Sequence, residues 1–321
     1  MTPWKVDQMP SQEGKIALIT GGSSGIGYET ALALTRKGAR VIIASDNADK
    51  GIRAIKSIAE KNPEADIGYE ALDLSDMESV RIFALRLRRS IPHLDMLVLN
   101  AGISGVTKRI ETEDKLELNF ATNYLGHFAL TALLFPLLLK HPDSRIISVS
   151  SLEHRNGMIH FDDLQLKHDY EDRMAYAQSK LAMLLFGLEL HRRLSREGFL
   201  LRSIPVHPGG AKTHIFDKGP KLARDFLKPE NIFKRLSLKS FGQSARKGSI
   251  PILFAATSKQ AQSGVYYGPS GLQEIWGESP APAKVALQAQ NLDAARMLWD
   301  VSEKLTGVSF DLREKGISQF H

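Results

Sequence analysis

Apolar residues fall into short runs and helically spaced sets that alternate along most of the chain. Lys15–Thr20 is an apolar run that stops at a glycine cluster, which predicts a buried parallel strand. Ile26–Leu34 has helical spacing, with Gly38 as its stop. Further strands are predicted at Val41–Ala44, Ile67–Leu72, Met96–Leu99, Arg145–Val149 and Leu200–Val206. Helices are predicted between them at Ile52–Ile58, Val80–Leu87, Leu116–Leu139 and Ala175–Leu194. Such alternation implies right-handed βαβ crossovers and a parallel sheet covered on both faces. The expected fold is a single α/β domain, a Rossmann-type doubly wound sheet. No internal repeat or interdomain linker divides it. Residues 1–13 read as an N-terminal extension, 14–307 as the domain and 308–321 as a tail. The least regular part, 208–250, is expected to form helical excursions that cover the substrate.

Composition narrows the chemistry. With no cysteine, the chain has no disulfide framework, thiolate metal site or cysteine nucleophile, which fits a reducing compartment. Met1–Gln8 lacks the apolar core of a signal peptide. The longest apolar run, Phe128–Leu139, is twelve residues broken by Pro136, whereas a membrane span needs about twenty. A soluble, cytoplasmic protein is the expectation. The net charge of +6 is localised: Lys212–Lys247 holds ten Lys or Arg against three acids, and the rest is close to neutral.

The strongest chemical signal follows the first strand. Thr20-Gly-Gly-Ser-Ser-Gly-Ile-Gly27 places Gly21, Gly25 and Gly27 where the first helix opens. A tight turn, close approach of a pyrophosphate to the backbone, and free N–H groups at a helix N-terminus all call for this arrangement. Nucleotide binding is therefore expected through Gly21, Ser23, Ser24, Gly25, Ile26 and Gly27.

Together with Asn100-Ala-Gly102 and Tyr176-x-x-x-Lys180, this loop makes the chain resemble the short-chain dehydrogenase/reductase family over about residues 14–307. The resemblance implies a sheet of about seven parallel strands and a nicotinamide cofactor. It implies cofactor contacts at Asp73 and Leu74, at Asn100, Ala101 and Gly102, and on a nicotinamide-side loop at Pro208, Gly209 and Thr213. The choice between NAD and NADP turns on the end of the second strand. An acid there engages the ribose hydroxyls, and an arginine accepts a 2′-phosphate. Asp46 occupies the position where NADP-using relatives often carry arginine, and Ser24 is not basic, so NAD is favoured. Lys50 stays open as a phosphate partner and Asp46 as a helix cap.

Tyr176 and Lys180 lie four residues apart on a predicted helix and so share a face. A phenol titrates near 10. A neighbouring ammonium and an oxidised nicotinamide both favour phenolate and suit Tyr176 to proton transfer. The resemblance adds Ser151, at the end of the fifth strand, to hold the substrate oxygen. It also adds Asn123, whose family role is to hold its helix open around a water linking Lys180 to solvent. Ser151 and Tyr176 are 25 residues apart, farther than in the simplest members. This insertion, with His160–Leu164, and the stretch from Gly264 to Gly307 resemble the retinol-dehydrogenase-like branch.

The implied activity is NAD(P)-dependent alcohol–carbonyl interconversion, and a lipophilic substrate such as a retinoid, steroid or aldehyde is expected. The chain lacks the N-terminal anchor of many animal members, which favours a soluble relative. A non-catalytic dinucleotide sensor is the rival from another class. Phe216, Phe226, Phe233 and Phe241, interleaved with the bases of 212–247, read as a substrate lid, a peripheral membrane contact or merely solvated helices. They form no evident stacking platform, so nucleic-acid binding is not expected. His154, His160 and His168 lack metal-ligand spacing and read as surface or loop histidines, so no metal is expected. The apolar faces of Leu116–Leu139 and Ala175–Leu194 suggest a homodimer interface, with a monomer as the alternative.

Overall fold

The computed structural model describes residues 4–210 and 243–312. Strands β1 (Ile16–Thr20), β2 (Arg40–Ser45), β3 (Ile67–Ala71), β4 (Met96–Leu99), β5 (Arg145–Val149), β6 (Arg202–Val206) and β7 (Tyr267–Pro269) are all parallel. A short β8 (Pro280–Pro282) pairs antiparallel with β7. The order β3-β2-β1-β4-β5-β6-β7-β8 reverses direction beside β1, and open sheets of this type bind ligands in the crevice at such a switch point. The apolar pattern placed β1–β6, and the count of about seven parallel strands came from the family resemblance, which left β7 unplaced. The eighth is three residues with two prolines, too short and too proline-rich to register as a strand pattern.

Helices α1 (Gly25–Thr35), α2 (Ala48–Lys61) and α3 (Met77–Ser90) make the first crossovers. Helices α2 and α3 start before their predicted first residues, where polar caps satisfy the first turn: Asn47 accepts from Lys50 N, and Asp76 accepts from Glu78 N and Ser79 N. Helix α4 (Leu118–Leu138) is long and apolar enough to cross a membrane, yet 83% of its apolar window is buried inside the fold. It is a core helix. Its second turn, Ala121–Leu125, is a π-helix, and α5 (Asp172–Arg196) packs alongside it. The chain closes with α6 (Ala245–Gly248), α7 (Ile250–Thr257) and α8 (Leu292–Thr306).

Each face of the sheet has its own core. One gathers side chains of α3, α4, α5 and α8, and the other those of α1, α2 and α7. Trp4 and Met9 dock on the second, with Trp4 edge-on to Phe254 at 5.5 Å. The faces of α4 and α5 suggested as a dimer interface are covered by α8 and the following strand of chain. Phe128, Phe186, Trp299 and Phe310 form one aromatic cluster there. Apolar periodicity marks a face for burial but cannot say which element buries it.

Candidate active site

The glycine turn closes against the β4 end. Gly21 has φ +65°, and a Cβ there would sit 2.8 Å from the Cα of Ala101. A Cβ on Gly27 would lie 2.5 Å from the carbonyl oxygen of Gly21. Neither position accepts a side chain without moving backbone. Thr20 locks the junction, since its hydroxyl accepts from Asn100 N (2.9 Å) and Ala101 N (3.0 Å). Asn100 returns a side-chain bond to the Thr20 carbonyl at 2.9 Å. Gly27→Ala should weaken dinucleotide binding about tenfold, because overpacking of 1–3 kcal/mol falls on this turn. Titration of the variant by cofactor fluorescence checks this, and unchanged affinity would refute the cradle.

In front of the turn lies a cavity of about 280 Å³. Of the expected cofactor residues, Gly21, Ser23 and Ser24 line one wall, Asp46 and Asp73 another, and Leu74, Ala101 and Gly102 the remainder. Gly25 and Ile26 begin α1 just behind the loop. Ser45 and Thr122 join the lining without having been assigned a cofactor contact from sequence, and so does Lys50, left open there as a phosphate partner. The hydroxyls of Ser45 and Thr122 are buried and have no hydrogen-bond partner among the described residues. Buried hydroxyls are rarely left so, and on residues lining a cavity they suit a polyhydroxylated ligand. The cradle, the dipole of α1 and these hydroxyls fit a dinucleotide. Thr122 could have been flagged only by its place beside Asn123.

The catalytic candidates converge at the carboxyl ends of β4 and β5. Ser151 lies two residues beyond β5, and its hydroxyl is near enough to the Tyr176 phenol to favour the phenolate. Lys180, one turn along α5, is 3% exposed; its Nζ donates to the Val149 carbonyl at 3.2 Å and sits 5.8 Å from the Tyr176 ring centre. Burial pushes the Tyr176 phenol up to about 12, and the Ser151 hydroxyl opposes this. Burial also pushes the Lys180 ammonium down to about 8. Desolvation dominates at the phenol, and the Lys180 ammonium is bonded to the Val149 carbonyl.

Asn123 sits inside the π-turn, as a residue that opens a helix should. Its side chain accepts from Ile103 N (2.8 Å) and donates to the Ile103 carbonyl (3.0 Å) and the Ser179 hydroxyl (2.9 Å). It thereby fastens α4 to the β4 loop and to α5 one residue before Lys180. Sequence reasoning missed His127, one turn on and fully buried. Its Nδ1 faces the Asn123 carbonyl at 3.0 Å and must carry the hydrogen, so Nε2 accepts from the Thr20 hydroxyl at 2.9 Å. Burial holds this imidazole down to about 3, hence neutral. The π-turn and the phosphate loop are joined through it.

Pro208 and Gly209 follow β6, and the Pro208 carbonyl accepts from Gln243. Thr213, Phe216, Phe226, Phe233, Phe241 and most of the basic stretch lie outside the described residues. His154 is not the surface histidine expected: it is fully buried, with Nδ1 2.6 Å from the Ser151 carbonyl. A Ser-x-x-His spacing in a short 3₁₀ turn brings the ring back over the serine, a local geometry that apolar periodicity does not report.

Comparisons with known proteins agree with this geometry. Residues 15–221 match the family model for short chain dehydrogenases. Retinol dehydrogenase 11 of Mus musculus is 35% identical over 302 residues, which is 93% of this chain and 88% of that protein. Polyprenol dehydrogenase of Danio rerio is 35% identical over 81% of this chain and 79% of its own. Among solved structures, an uncharacterized protein from Mycobacterium Paratuberculosis superposes with a TM-score of 0.78 at 34% identity, covering 96% of this chain and 99% of that one. The chain therefore belongs to the short-chain dehydrogenase family, as an NAD(P)-dependent oxidoreductase of its retinol-dehydrogenase-like branch.

Proposed function

We propose that this protein interconverts an alcohol and a carbonyl on a lipophilic small molecule, with NAD as its preferred cofactor. The observation that carries the reading is the placing of Ser151, Tyr176 and Lys180 at the carboxyl end of β5, with the Lys180 Nζ 5.8 Å from the Tyr176 ring centre, on the sheet edge that also carries the glycine turn. The relatives' names, retinol and polyprenol dehydrogenase, support a long apolar alcohol as the substrate class.

In the oxidising direction, Ser151 Oγ holds the substrate oxygen while Tyr176 Oη takes its hydroxyl proton. The C–H bond then breaks with its electron pair, giving the carbonyl. The nicotinamide supplies the hydride acceptor and, when oxidised, a positive charge that favours phenolate at Tyr176. Lys180 holds the cofactor ribose and tunes the phenol, and Asn123 keeps the π-turn open behind it. Reduction runs the same path backwards. A cofactor-absorbance screen of alcohols, aldehydes, steroids and cyclic ketones with both dinucleotides tests this. Binding of dinucleotide without turnover of any substrate would mark a sensor instead.

The preference for NAD rests on Asp46, an exposed carboxylate lining the cavity next to Ser45. It can accept from ribose hydroxyls and would repel a 2′-phosphate. Asp46→Arg should move the ratio of kcat/KM for NAD over NADP towards NADP by about tenfold or more, since a charge-assisted bond contributes ~1.5–3 kcal/mol. An unmoved ratio would shift the discrimination to Lys50.

A further inference from the structure

The turn after β7 is bent against its own preference. Gln273 and Glu274 are consecutive non-glycine residues with φ of +50° and +62°, a conformation that persists only when surroundings impose it and that clusters at functional sites. The surroundings here are two loops from the active-site edge. Glu274 Oε2 accepts from Arg155 Nη2 at 2.5 Å and from His207 Nε2 at 3.1 Å, and Oε1 accepts from Lys284 N at 2.9 Å. His207 is fully buried, and its Nδ1 accepts from Gly209 N at 3.1 Å, which fixes the hydrogen on Nε2. Gly210 N donates to the Ile275 carbonyl at 2.8 Å. A Cβ on Gly209 would come within 2.5 Å of that same oxygen. Burial works against the charge of Glu274, yet His207, Lys284 N and Arg155 together hold its carboxyl down to about 2.

One carboxylate thus joins the loop after β6, which holds Pro208 and Gly209, to the 3₁₀ turn Leu152–Asn156 that Ser151 caps. We propose that Glu274 is a positioning residue that sets the distance between the nicotinamide-side loop and the serine hydroxyl. The inference rests on the oxidoreductase reading for its catalytic consequence, but the coupling of the two loops is independent of it. Displacing one reacting partner by a fraction of an ångström is costly to hydride transfer.

Two measurements on the full chain test it. Hydrogen exchange of Glu274→Gln should show residues 151–157 and 207–210 losing protection together, about tenfold, while α1 is unchanged. Loss confined to residues 272–275, or no loss, overturns the proposal. Turnover of Glu274→Gln should fall about tenfold, with a larger primary deuterium isotope effect from deuterated alcohol. A merely structural lesion lowers the active fraction and leaves the isotope effect alone. Arg155→Met should reproduce both changes, and the double variant should be no slower than the worse single one. Additive losses would refute the coupling. Arg155 is a third exposed, so that variant decides the matter if Glu274→Gln does not fold. If the wild type turns over no alcohol or carbonyl, the functional reading falls and the exchange result still judges the coupling.

Discussion

Tyr176→Phe should bind dinucleotide with wild-type affinity and lose at least about a hundredfold in turnover, the low end for removing a positioned acid–base group. The ring stays, so the packing of a residue only 8% exposed is kept. What disappears is one hydroxyl, the proposed acceptor of the substrate proton. That hydroxyl is the proposed route by which the substrate proton leaves, since the Lys180 Nζ is engaged by the Val149 carbonyl. The pH dependence follows in sign. The protein holds the phenol above its ordinary range, so the wild-type oxidation rate should rise with pH until the phenolate is populated. The phenylalanine variant should show no such rise. Steady-state rates with both dinucleotides across pH give the answer, and a variant within threefold of wild type would remove Tyr176 from the mechanism.

Much of this site could be read from residue spacing, because its parts are local. A glycine turn, an i,i+4 pair and a serine at a strand end are each fixed by a few consecutive residues, and strand–helix alternation brings their ends to one edge. What escaped was of another kind. His127 joins Thr20 across more than a hundred positions, and Glu274 lies 119 residues from Arg155. Neither pairing leaves a periodic trace, since single polar residues on buried surfaces look the same whether or not a distant partner awaits them. The upward push of burial on the Tyr176 phenol escaped for a related reason. Spacing reports the neighbouring cation, but not the depth of burial that opposes it. That α8 covers apolar faces of α4 and α5 escaped in the same way, because the covering element arrives last in the chain.

That late element sets the second large effect. Trp299→Ala should lower the free energy of unfolding by about 3–5 kcal/mol, the range for truncating a large buried aromatic. Trp299 is 2% exposed. Its ring lies 4.7 Å from Phe310, 5.2 Å from Phe128 and 5.9 Å from Phe186, centre to centre. The Arg193 guanidinium sits over it at 4.3 Å, and its indole N–H donates to Glu303 at 3.2 Å. Alanine would leave a cavity that no neighbour can fill without tilting α8 away from α4 and α5. Phe186 belongs to the helix that carries Tyr176 and Lys180, ten and six residues upstream, so the catalytic pair and this cluster share one rigid support. The lesion should therefore appear first as a fall in the denaturation midpoint, with turnover per folded molecule near wild type well below it. A loss under 1 kcal/mol would mean that α8 contributes little to holding α4 and α5 together. The apolar faces beneath it would then be free to meet a second copy, which sedimentation of the variant and wild type would reveal.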